Sequence, residues 1–318
     1  MLWLATEEGV YLLDEGGRAM RLGPNQTRIR GVASHPQDPP RLLAASDTAG
    51  VYVRRDAQWD LAVRGVAHSV AWSPDGRRAY AGLRGPRAFA SDDGGVSWHE
   101  DLQVRAVAAG PGVPPPHVAG HPLDVLTIVI PQDARIYLGV EAAGVLRWAR
   151  GSGWHPASTG LHPDVHAMAY DPQSSDTLYA ATGAGIYRSL DGGSSWAPAM
   201  AGIDRRYASA VAVLPGLQTV LAAASPDPPP RWNRPAGARA ALFRSVNSGL
   251  TWERVAGGLP AEFVEEVSAI VADAAAPGRV YVTVLDGQVW RSDDAGSTWR
   301  RIATDLPAIW HAAASAGS

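Results

Sequence analysis

Histidine and arginine side chains recur near the beginning of short apolar segments of this chain. Their spacing places one residue of each segment at a matching position. The seven matching positions are Arg30, His68, Leu126, His166, Ser209, Ser268 and His311. Guanidinium groups bind anions, and imidazole groups bind anions or metal ions. A fold that brings the segments together therefore predicts a ring of cationic or metal-binding groups, with Arg30, His68, His166 and His311 as candidate ligand-binding residues.

Three interpretations of this ring stay open. Its polar side chains can solvate the mouth of a water-filled channel, they can bind an anion or a sugar, or the histidines can bind a metal. The histidines fall in segments that are not neighbours, which is unfavourable for joint ligation of one ion. We predict no metal site and no cofactor.

Carboxylates form a second set of candidates in the loops near the same segments. They are Glu7, Glu8, Asp47, Glu141, Asp204, Glu265, Glu266 and Asp286, accompanied by Arg205, Arg206 and Tyr207. Two carboxylates across a cleft can act as general acid and base on a glycosidic bond. Acidic residues are also ordinary in solvent-facing turns, so no catalytic pair is singled out. We take Glu141 and Tyr207 as candidate ligand-binding residues.

Two insertions interrupt the pattern. Residues 225–240 contain Trp232, flanked by Arg231 and Arg234, and a second insertion at 103–122 contains His117 and His121. Aromatic rings stack on sugars or anchor protein partners, and arginine binds carboxylates or phosphates. The first insertion therefore adds Trp232 and Arg234 to the candidate ligand-binding residues, although a Pro-stiffened surface loop is the alternative.

Four copies of one motif indicate how these candidates are positioned. The motif occurs as SDDGGVSW at 91–98, SLDGGSSW at 189–196, SVNSGLTW at 245–252 and SDDAGSTW at 292–299; we call these copies the repeat turns. The short polar residue at the third position can accept backbone N–H bonds, and glycine at the fifth permits a left-handed backbone. A structural role is predicted for Asp93, Trp98, Asp191, Trp196, Asn247, Trp252, Asp294 and Trp299. The carboxylate series of a calcium loop is not present.

The pattern S-x-[DN]-x-G-x-[ST]-W resembles the Asp-box (BNR) repeat of the sialidase-like β-propellers. That resemblance implies four-stranded blades, and strand pairs beginning at Leu2, Arg41, Ala79, Ile136, Leu178, Thr219 and Val280 give seven of them. Innermost strands are predicted at 30–34, 68–72, 124–130, 165–170, 209–214 and 267–272. The first blade lacks one, and residues 309–314 can supply it. The predicted fold is an all-β, seven-bladed β-propeller, a single domain over 1–318 with its first blade closed by a C-terminal strand.

The resemblance implies a fold more firmly than an activity. The Asp-box propellers include sialidases, xyloglucan-degrading enzymes, sortilin-type receptors and photosystem II assembly propellers, and the blade count is closest to the last. The Arg-Ile-Pro signature of sialidases does not occur in this chain. We expect a non-catalytic scaffold that binds a protein or glycan through the face carrying the cationic ring. A glycoside hydrolase or lyase is the alternative.

Composition excludes several other classes. A net charge of −3 gives no general attraction to nucleic acid or anionic lipid. No cysteine is available for disulfides or thiolate metal sites. No apolar run reaches membrane-spanning length, and the first residues read as a strand instead of a secretory leader. We expect a cytoplasmic monomer that neither binds nucleic acid nor inserts into a membrane. An exported form from which a leader was removed is the alternative.

Overall fold

The computed structural model describes residues 1–111, 113 and 123–314, and its strands form seven four-stranded sheets. The strands of the first four sheets, apart from one late strand of the first, are β1 (Leu2–Thr6), β2 (Gly9–Leu13), β3 (Ala19–Gly23), β4 (Gly31–Ser34), β5 (Leu42–Ser46), β6 (Gly50–Arg55), β7 (Gln58–Arg64), β8 (Ala67–Trp72), β9 (Ala79–Leu83), β10 (Arg87–Ser91), β11 (His99–Glu100), β12 (Val125–Val129), β13 (Ile136–Val140), β14 (Gly144–Ala149) and β15 (Gly153–Pro156). The others are β16 (Val165–Asp171), β17 (Ser174–Thr182), β18 (Gly185–Ser189), β19 (Ala197–Pro198), β20 (Tyr207–Val213), β21 (Val220–Ser225), β22 (Ala241–Ser245), β23 (Glu253–Arg254), β24 (Val267–Ala272), β25 (Val280–Val284), β26 (Val289–Ser292), β27 (Arg300–Ala303) and β28 (Ile309–Ala314).

The seven sheets form a closed ring. Each sheet is an antiparallel meander, and the innermost strands are β28, β4, β8, β12, β16, β20 and β24. Each innermost strand contacts the innermost strands of the two adjacent sheets, and β24 contacts β28. This arrangement defines a seven-bladed β-propeller and confirms the predicted fold. We call the end at which the innermost strands begin the funnel face.

The last strand closes the first blade, as predicted. β28 pairs antiparallel with β1, from Leu2 opposite Ala314 to Thr6 opposite Ile309. All five residues of β1 are buried, and Ile309 is fully buried beside them. The pairing satisfies the backbone groups that β1 would otherwise leave open at a sheet edge.

The core lies between blades. The buried side chains form seven clusters, and each cluster is shared by two neighbouring sheets. Small residues permit close approach at these contacts. A Cβ added at Gly82 would lie 2.5 Å from a methyl of Val125 in the next blade, and one at Gly139 would lie 2.9 Å from a methyl of Val165 in the next blade. Larger residues there would push adjacent blades apart.

One helix was not predicted. Helix α1 spans Leu102–Ala108 at the start of the second insertion, with Asp101 capping its N-terminus and Val104 and Ala108 buried. The other Asp101 carboxylate oxygen accepts a 2.7 Å hydrogen bond from Trp154 Nε1. A single capping residue therefore links the helix to the next blade. The candidates His117 and His121 lie outside the described residues.

The repeat turns have the predicted internal bonding. In each turn the first serine accepts the N–H of the fifth residue, for example Gly193 N–H to Ser189 Oγ at 2.8 Å. The third residue accepts the N–H of the seventh, for example Ser195 N–H to Asp191 at 2.8 Å. These bonds lower the pKa of Asp191, chiefly through the Ser195 hydroxyl. The fifth glycine adopts the left-handed backbone, with φ near 82° at Gly193.

The turns also hold adjacent blades together, which the motif alone did not indicate. The carbonyl at the fourth position receives donors from the preceding blade. Gly192 O accepts from Arg147 at 2.6 Å and from Tyr137 at 3.0 Å. Ser248 O, in the following blade, accepts in the same way from Arg188 and Tyr179 of the blade before it. The turns therefore stabilise the blade contacts at the end of the ring opposite the funnel face.

Removal of β28 should destabilise the whole ring, because it uncovers the buried face of β1 and its backbone groups. We expect a chain ending at Ala308 to unfold at least about 10 °C below a chain ending at Ala314. Thermal unfolding followed by far-UV circular dichroism measures this difference. Equal melting temperatures for the two chains would contradict a closing role for β28.

The third position of the repeat turn can be tested with a natural control. Asp294 accepts the Thr298 N–H at 2.8 Å, and Asn247 accepts the Thr251 N–H at 3.0 Å in the equivalent place. Asp294→Ala should cost about 0.5–1.5 kcal/mol of unfolding free energy, because the exposed turn donors Ser297 N–H, Thr298 N–H and Thr298 Oγ1–H lose their acceptor within the turn. Asp294→Asn should cost much less. Urea unfolding of both variants measures this order, and equal losses would contradict it.

Candidate functional site

A β-bulge marks the funnel end of nearly every innermost strand. In β8, β12, β16, β20, β24 and β28 one residue is skipped in the pairing with the second strand. The skipped residues, with Arg30 just before β4, form one ring: Arg30, His68, Leu126, His166, Ser209, Ser268 and Trp310. Six of these match the sequence-predicted ring. In β28 the register differs by one residue, so that Trp310 and not His311 occupies the bulge.

A second ring lies two residues before the first and was not recognised from sequence. Its members are Arg28, Val66, Asp124, Asp164, Tyr207, Glu266 and Ala308. The equivalence is fixed by the backbone, because the carbonyls of Val66, Asp124, Asp164, Glu266 and Ala308 each accept an N–H from the loop after the second strand. Four consecutive blades therefore present Asp124, Asp164, Tyr207 and Glu266 at one level.

The buried His68 side chain contacts an acidic residue of the second ring. His68 Nε2 lies 2.9 Å from Asp124 Oδ2, and Arg84 Nε lies 3.3 Å from the same oxygen. Burial would raise the pKa of Asp124, but these two partners outweigh it and lower the pKa. This pair bridges the third and fourth blades and leaves no free carboxylate there.

His166 is held in the next part of the ring. Its Nδ1 lies 2.7 Å from Ala208 O, and its Nε2 lies 3.3 Å from Asp164 Oδ2. Burial alone would lower the pKa of His166, but Asp164, the Ala208 carbonyl and the charge of Glu266 raise it above the usual value. The imidazole therefore carries a positive charge more readily than a free histidine.

Tyr207 connects His166 to the first insertion. The Tyr207 ring centroid lies 4.5 Å from that of His166 and 5.6 Å from that of Trp232, the latter edge to face. Burial and the charges of Glu266, Asp164 and Glu141 raise the pKa of Tyr207 strongly, so its hydroxyl stays protonated. Three predicted candidates, His166, Tyr207 and Trp232, thus form one aromatic row, which we call the aromatic arc.

Glu266 stands beside this arc without a direct partner. Its side chain makes no hydrogen bond or ion pair within the described part of the chain. Burial raises the pKa of Glu266 to about 7, opposed by the charges of His166 and Arg30. Those two residues belong to the fifth and second blades, on either side of Glu266. The carboxyl group therefore lies within electrostatic range of both sides of the ring.

The other side of the ring is an ion-paired cluster. The Arg30 guanidinium lies 3.8 Å above the Trp310 ring and 3.9 Å from Asp47. Arg28 donates to Asp47 at 2.9 Å, and Trp310 Nε1 donates to Glu7 at 3.1 Å. Burial lowers the pKa of Arg30 in spite of Asp47. The cations of this cluster are already matched by aromatic or acidic partners.

His311 lies behind this cluster as an acceptor. Its Nδ1 accepts the Val32 N–H at 3.4 Å, which links the first and second blades. Burial lowers the pKa of His311 to about 4, so the ring is neutral at physiological pH. This is the reverse of the cationic role predicted from the matching positions.

The first insertion is tied down firmly at its base. The buried Arg205 donates to Arg239 O at 2.7 Å and to Glu262 at 2.7 Å, while Arg239 donates to Glu262 at 2.9 Å. A 3₁₀ turn, η1 (Pro229–Arg231), precedes Trp232. The indole Nε1 donates to Asp227 O at 2.8 Å, and Arg234 is exposed on the same loop.

The structure thus divides the predicted candidates. His166, Tyr207 and Trp232 come together, Glu141 acts electrostatically on Tyr207, and Arg234 lies on the adjoining loop. Arg30 and His311 lie across the ring, and His68 is enclosed by Asp124. Sequence analysis missed Asp124, Asp164 and Trp310 as ring residues. For Asp124 and Asp164 the available signal was their spacing, two residues before the matching positions Leu126 and His166.

Among the described residues, no three His, Asp or Glu side chains form a group able to hold a metal ion. The described helices are all too short or too polar to cross a membrane.

Comparisons with known proteins identify structural likeness only. No protein-family model matches the chain, and no curated protein matches its sequence. Among solved structures, the GH74 xyloglucanase from Xanthomonas campestris is similar with a TM-score of 0.63 and 18% identity, over 95% of this chain and 46% of that one. An ancestral GH74 enzyme is similar with a TM-score of 0.66 and 17% identity, over 94% and 40%. YCF48 from Cyanidioschyzon merolae is similar with a TM-score of 0.59 and 16% identity, over 88% and 86%.

The chain spans less than half the length of the two GH74 proteins and most of the length of YCF48. At these identities the likeness establishes the propeller fold. It does not select between an enzyme and a binding protein.

The raised pKa of Glu266 predicts a specific pH dependence of stability. Since the folded-state pKa is about 7 and the unfolded value is 4.5, the fold favours the protonated form. The contribution is fully present below pH 4.5 and is lost as pH rises through about 7. Glu266→Gln keeps a neutral side chain, so it should be more stable than wild type above pH 7.

Melting temperatures of wild type and Glu266→Gln between about pH 4 and 8.5 measure this effect. Their difference should grow with pH in favour of the variant. Asp286→Asn is the matched control, because it removes an exposed carboxylate from another loop of the same blade, and it should show a smaller trend. A difference that stays constant across the range would contradict the environment assigned to Glu266.

Proposed function

We propose that this protein is a non-catalytic β-propeller scaffold that binds a protein or glycan ligand through its funnel face. The observation that carries the proposal is the aromatic arc, in which the rings of His166, Tyr207 and Trp232 follow one another at contact distance. Tyrosine and tryptophan are the residues that most often anchor macromolecular interfaces, and their rings also stack on sugars.

The polar surroundings of the arc also support binding. Arg234 is exposed beside Trp232, and Arg206 is exposed beside Tyr207. Arg206 lines an open groove of about 600 Å³ together with Met200 and Ile203, at the edge of the same face. An aromatic centre with a charged rim is the composition of a recognition surface.

The arc is mounted rigidly, which suits a binding site. The Arg205, Glu262 and Arg239 network fixes the base of the insertion, and Ala240 pairs with Phe263 in an isolated bridge. Ala238 N–H also bonds to Val264 O at 2.6 Å. A pre-ordered loop loses less conformational entropy when a ligand binds.

A glycoside hydrolase is the second candidate, because one observation favours it. A carboxyl group with a pKa of about 7, as at Glu266, can act as a general acid near neutral pH. The charges of Glu141 and Asp164 reach the neighbouring Tyr207 and mark them as possible second carboxylates. Release of reducing ends from xyloglucan, abolished by Glu266→Gln, would establish this activity and overturn the non-catalytic proposal.

Replacement of Trp232 and Arg234 tests the binding proposal. A Trp232→Ala, Arg234→Ala double variant should lose at least about tenfold in affinity for the ligand, since an aromatic anchor and its adjacent charge are removed. Screening on a glycan array and by affinity capture identifies the ligand, and titration of the purified ligand gives the affinities. The melting temperature should change by only a few degrees, because the loop base is untouched.

The matched control is Arg150→Ala, which removes an exposed arginine from the turn between β14 and β15 at the opposite end of the ring. This control should bind like wild type. Equal affinities for the double variant and wild type would show that the ligand binds elsewhere.

A further inference from the structure

Glu266 and Tyr207 present two polar groups that nothing in the described chain satisfies. The Glu266 carboxyl group has no hydrogen bond or ion pair, and the Tyr207 hydroxyl has no hydrogen bond, with any described residue. Both residues are partly exposed and occupy equivalent positions of the second ring on adjacent blades. The surrounding side chains disfavour the charged form of the Glu266 carboxyl group, and a cationic ligand would stabilise that form.

The chain's own nearby cations are directed elsewhere. Arg30 lies over Trp310, with Asp47 as its acidic partner, and Arg28 donates to Asp47. Arg205 is buried against Glu262. His166 uses one ring nitrogen for Ala208 and the other for Asp164, so it contributes charge but no donor to Glu266. None of these four residues donates to the Glu266 carboxyl group, which is therefore open to a cation from a ligand.

The rings beside Glu266 suit the same type of ligand. Tyr207 lies between His166 and Trp232 and remains partly exposed, and aromatic rings attract cations. A carboxylate next to aromatic faces is the combination that binds ammonium and guanidinium groups, because it supplies charge and a π surface together. Glu265 and Asp164 add negative charge around the site, as the pKa values of Glu266 and Tyr207 record.

We propose that the funnel face binds a lysine or arginine side chain of a protein partner between Glu266 and Tyr207. This inference rests on the proposed binding function and selects a cationic protein segment over a neutral glycan. The Glu266 carboxylate pairs with the cation, the Tyr207 ring stacks on it, and Trp232 borders the site from the insertion. Arg206 and Arg234, exposed on the rim, then meet acidic residues of the same partner.

Short peptides provide the test. The probes are Gly-Gly-Arg-Gly-Gly, Gly-Gly-Lys-Gly-Gly and the neutral Gly-Gly-Gln-Gly-Gly, added to the full chain up to about 20 mM, enough to detect a millimolar dissociation constant. Binding is followed by NMR through the indole N–H signal of Trp232, which is assigned by its absence in Trp232→Phe. We expect the Arg or Lys peptide to shift this signal and to lower the titration midpoint of the Glu266 carboxyl carbon, and the Gln peptide to do neither.

Variants connect the effect to the two residues. Glu266→Gln should weaken binding of the cationic peptide at least tenfold, and Tyr207→Leu should also weaken it. Asp286→Asn is the matched control, because it removes an exposed carboxylate from another loop of the same blade and face. This control should bind as wild type does. If Glu266→Gln folds poorly, Tyr207→Leu still decides the question.

Two results would overturn the inference. One is the absence of any shift with the cationic peptides; the other is binding that Glu266→Gln and Tyr207→Leu leave unchanged. A ligand that is found to be a glycan, with affinity that depends on Trp232, would retain the proposed binding function and reject the cationic site. If the affinity for every ligand is the same in wild type and in the Trp232→Ala, Arg234→Ala variant, the proposed function itself is rejected.

Discussion

The pairing of β28 with β1 determines where every other part of this structure lies. It completes the first blade and brings β28 between β24 and β4, so that each blade has two neighbours. The buried core depends on that closure, because every hydrophobic cluster is shared between two blades and none belongs to one blade alone. An open arc of sheets would leave the apolar faces of its two terminal blades exposed to water.

The two ends of the ring perform different tasks. At one end the repeat turns receive arginine and tyrosine donors from the preceding blade, as Gly192 does from Arg147 and Tyr137. At the funnel face the links between blades are made by bulge or neighbouring side chains, such as Ser209 to Val267 O at 2.9 Å. Because the turns at the far end already hold the blades, side chains at the funnel face can vary between blades without loss of the ring.

Sequence was sufficient for the parts of the structure that repeat. The blade count, the closing strand and the bounds of β24 and β28 followed from repeated turns and apolar segments. It was insufficient where one residue changes the direction of a side chain. The bulge in β28 falls at Trp310, so His311 became a partly buried acceptor and Arg30 gained an indole partner. Helix α1 was missed because its short segment lies in an insertion that occurs only once.

In the candidate site, too, residue types could be predicted from sequence but their contacts could not. Trp232 and Tyr207 could be selected from sequence as aromatic residues near predicted loops, but their contact depends on how the insertion folds back on the second ring. Asp124, Asp164 and Glu266 occupy equivalent positions and were indistinguishable as acidic loop residues. Their surroundings separate them, since Asp124 has His68 and Arg84, Asp164 has His166, and Glu266 has no direct partner in the described chain. Equivalent positions in a repeat fold thus acquire different chemistry from the neighbouring blade, and Glu266 is the position at which no described residue of that blade supplies a direct partner.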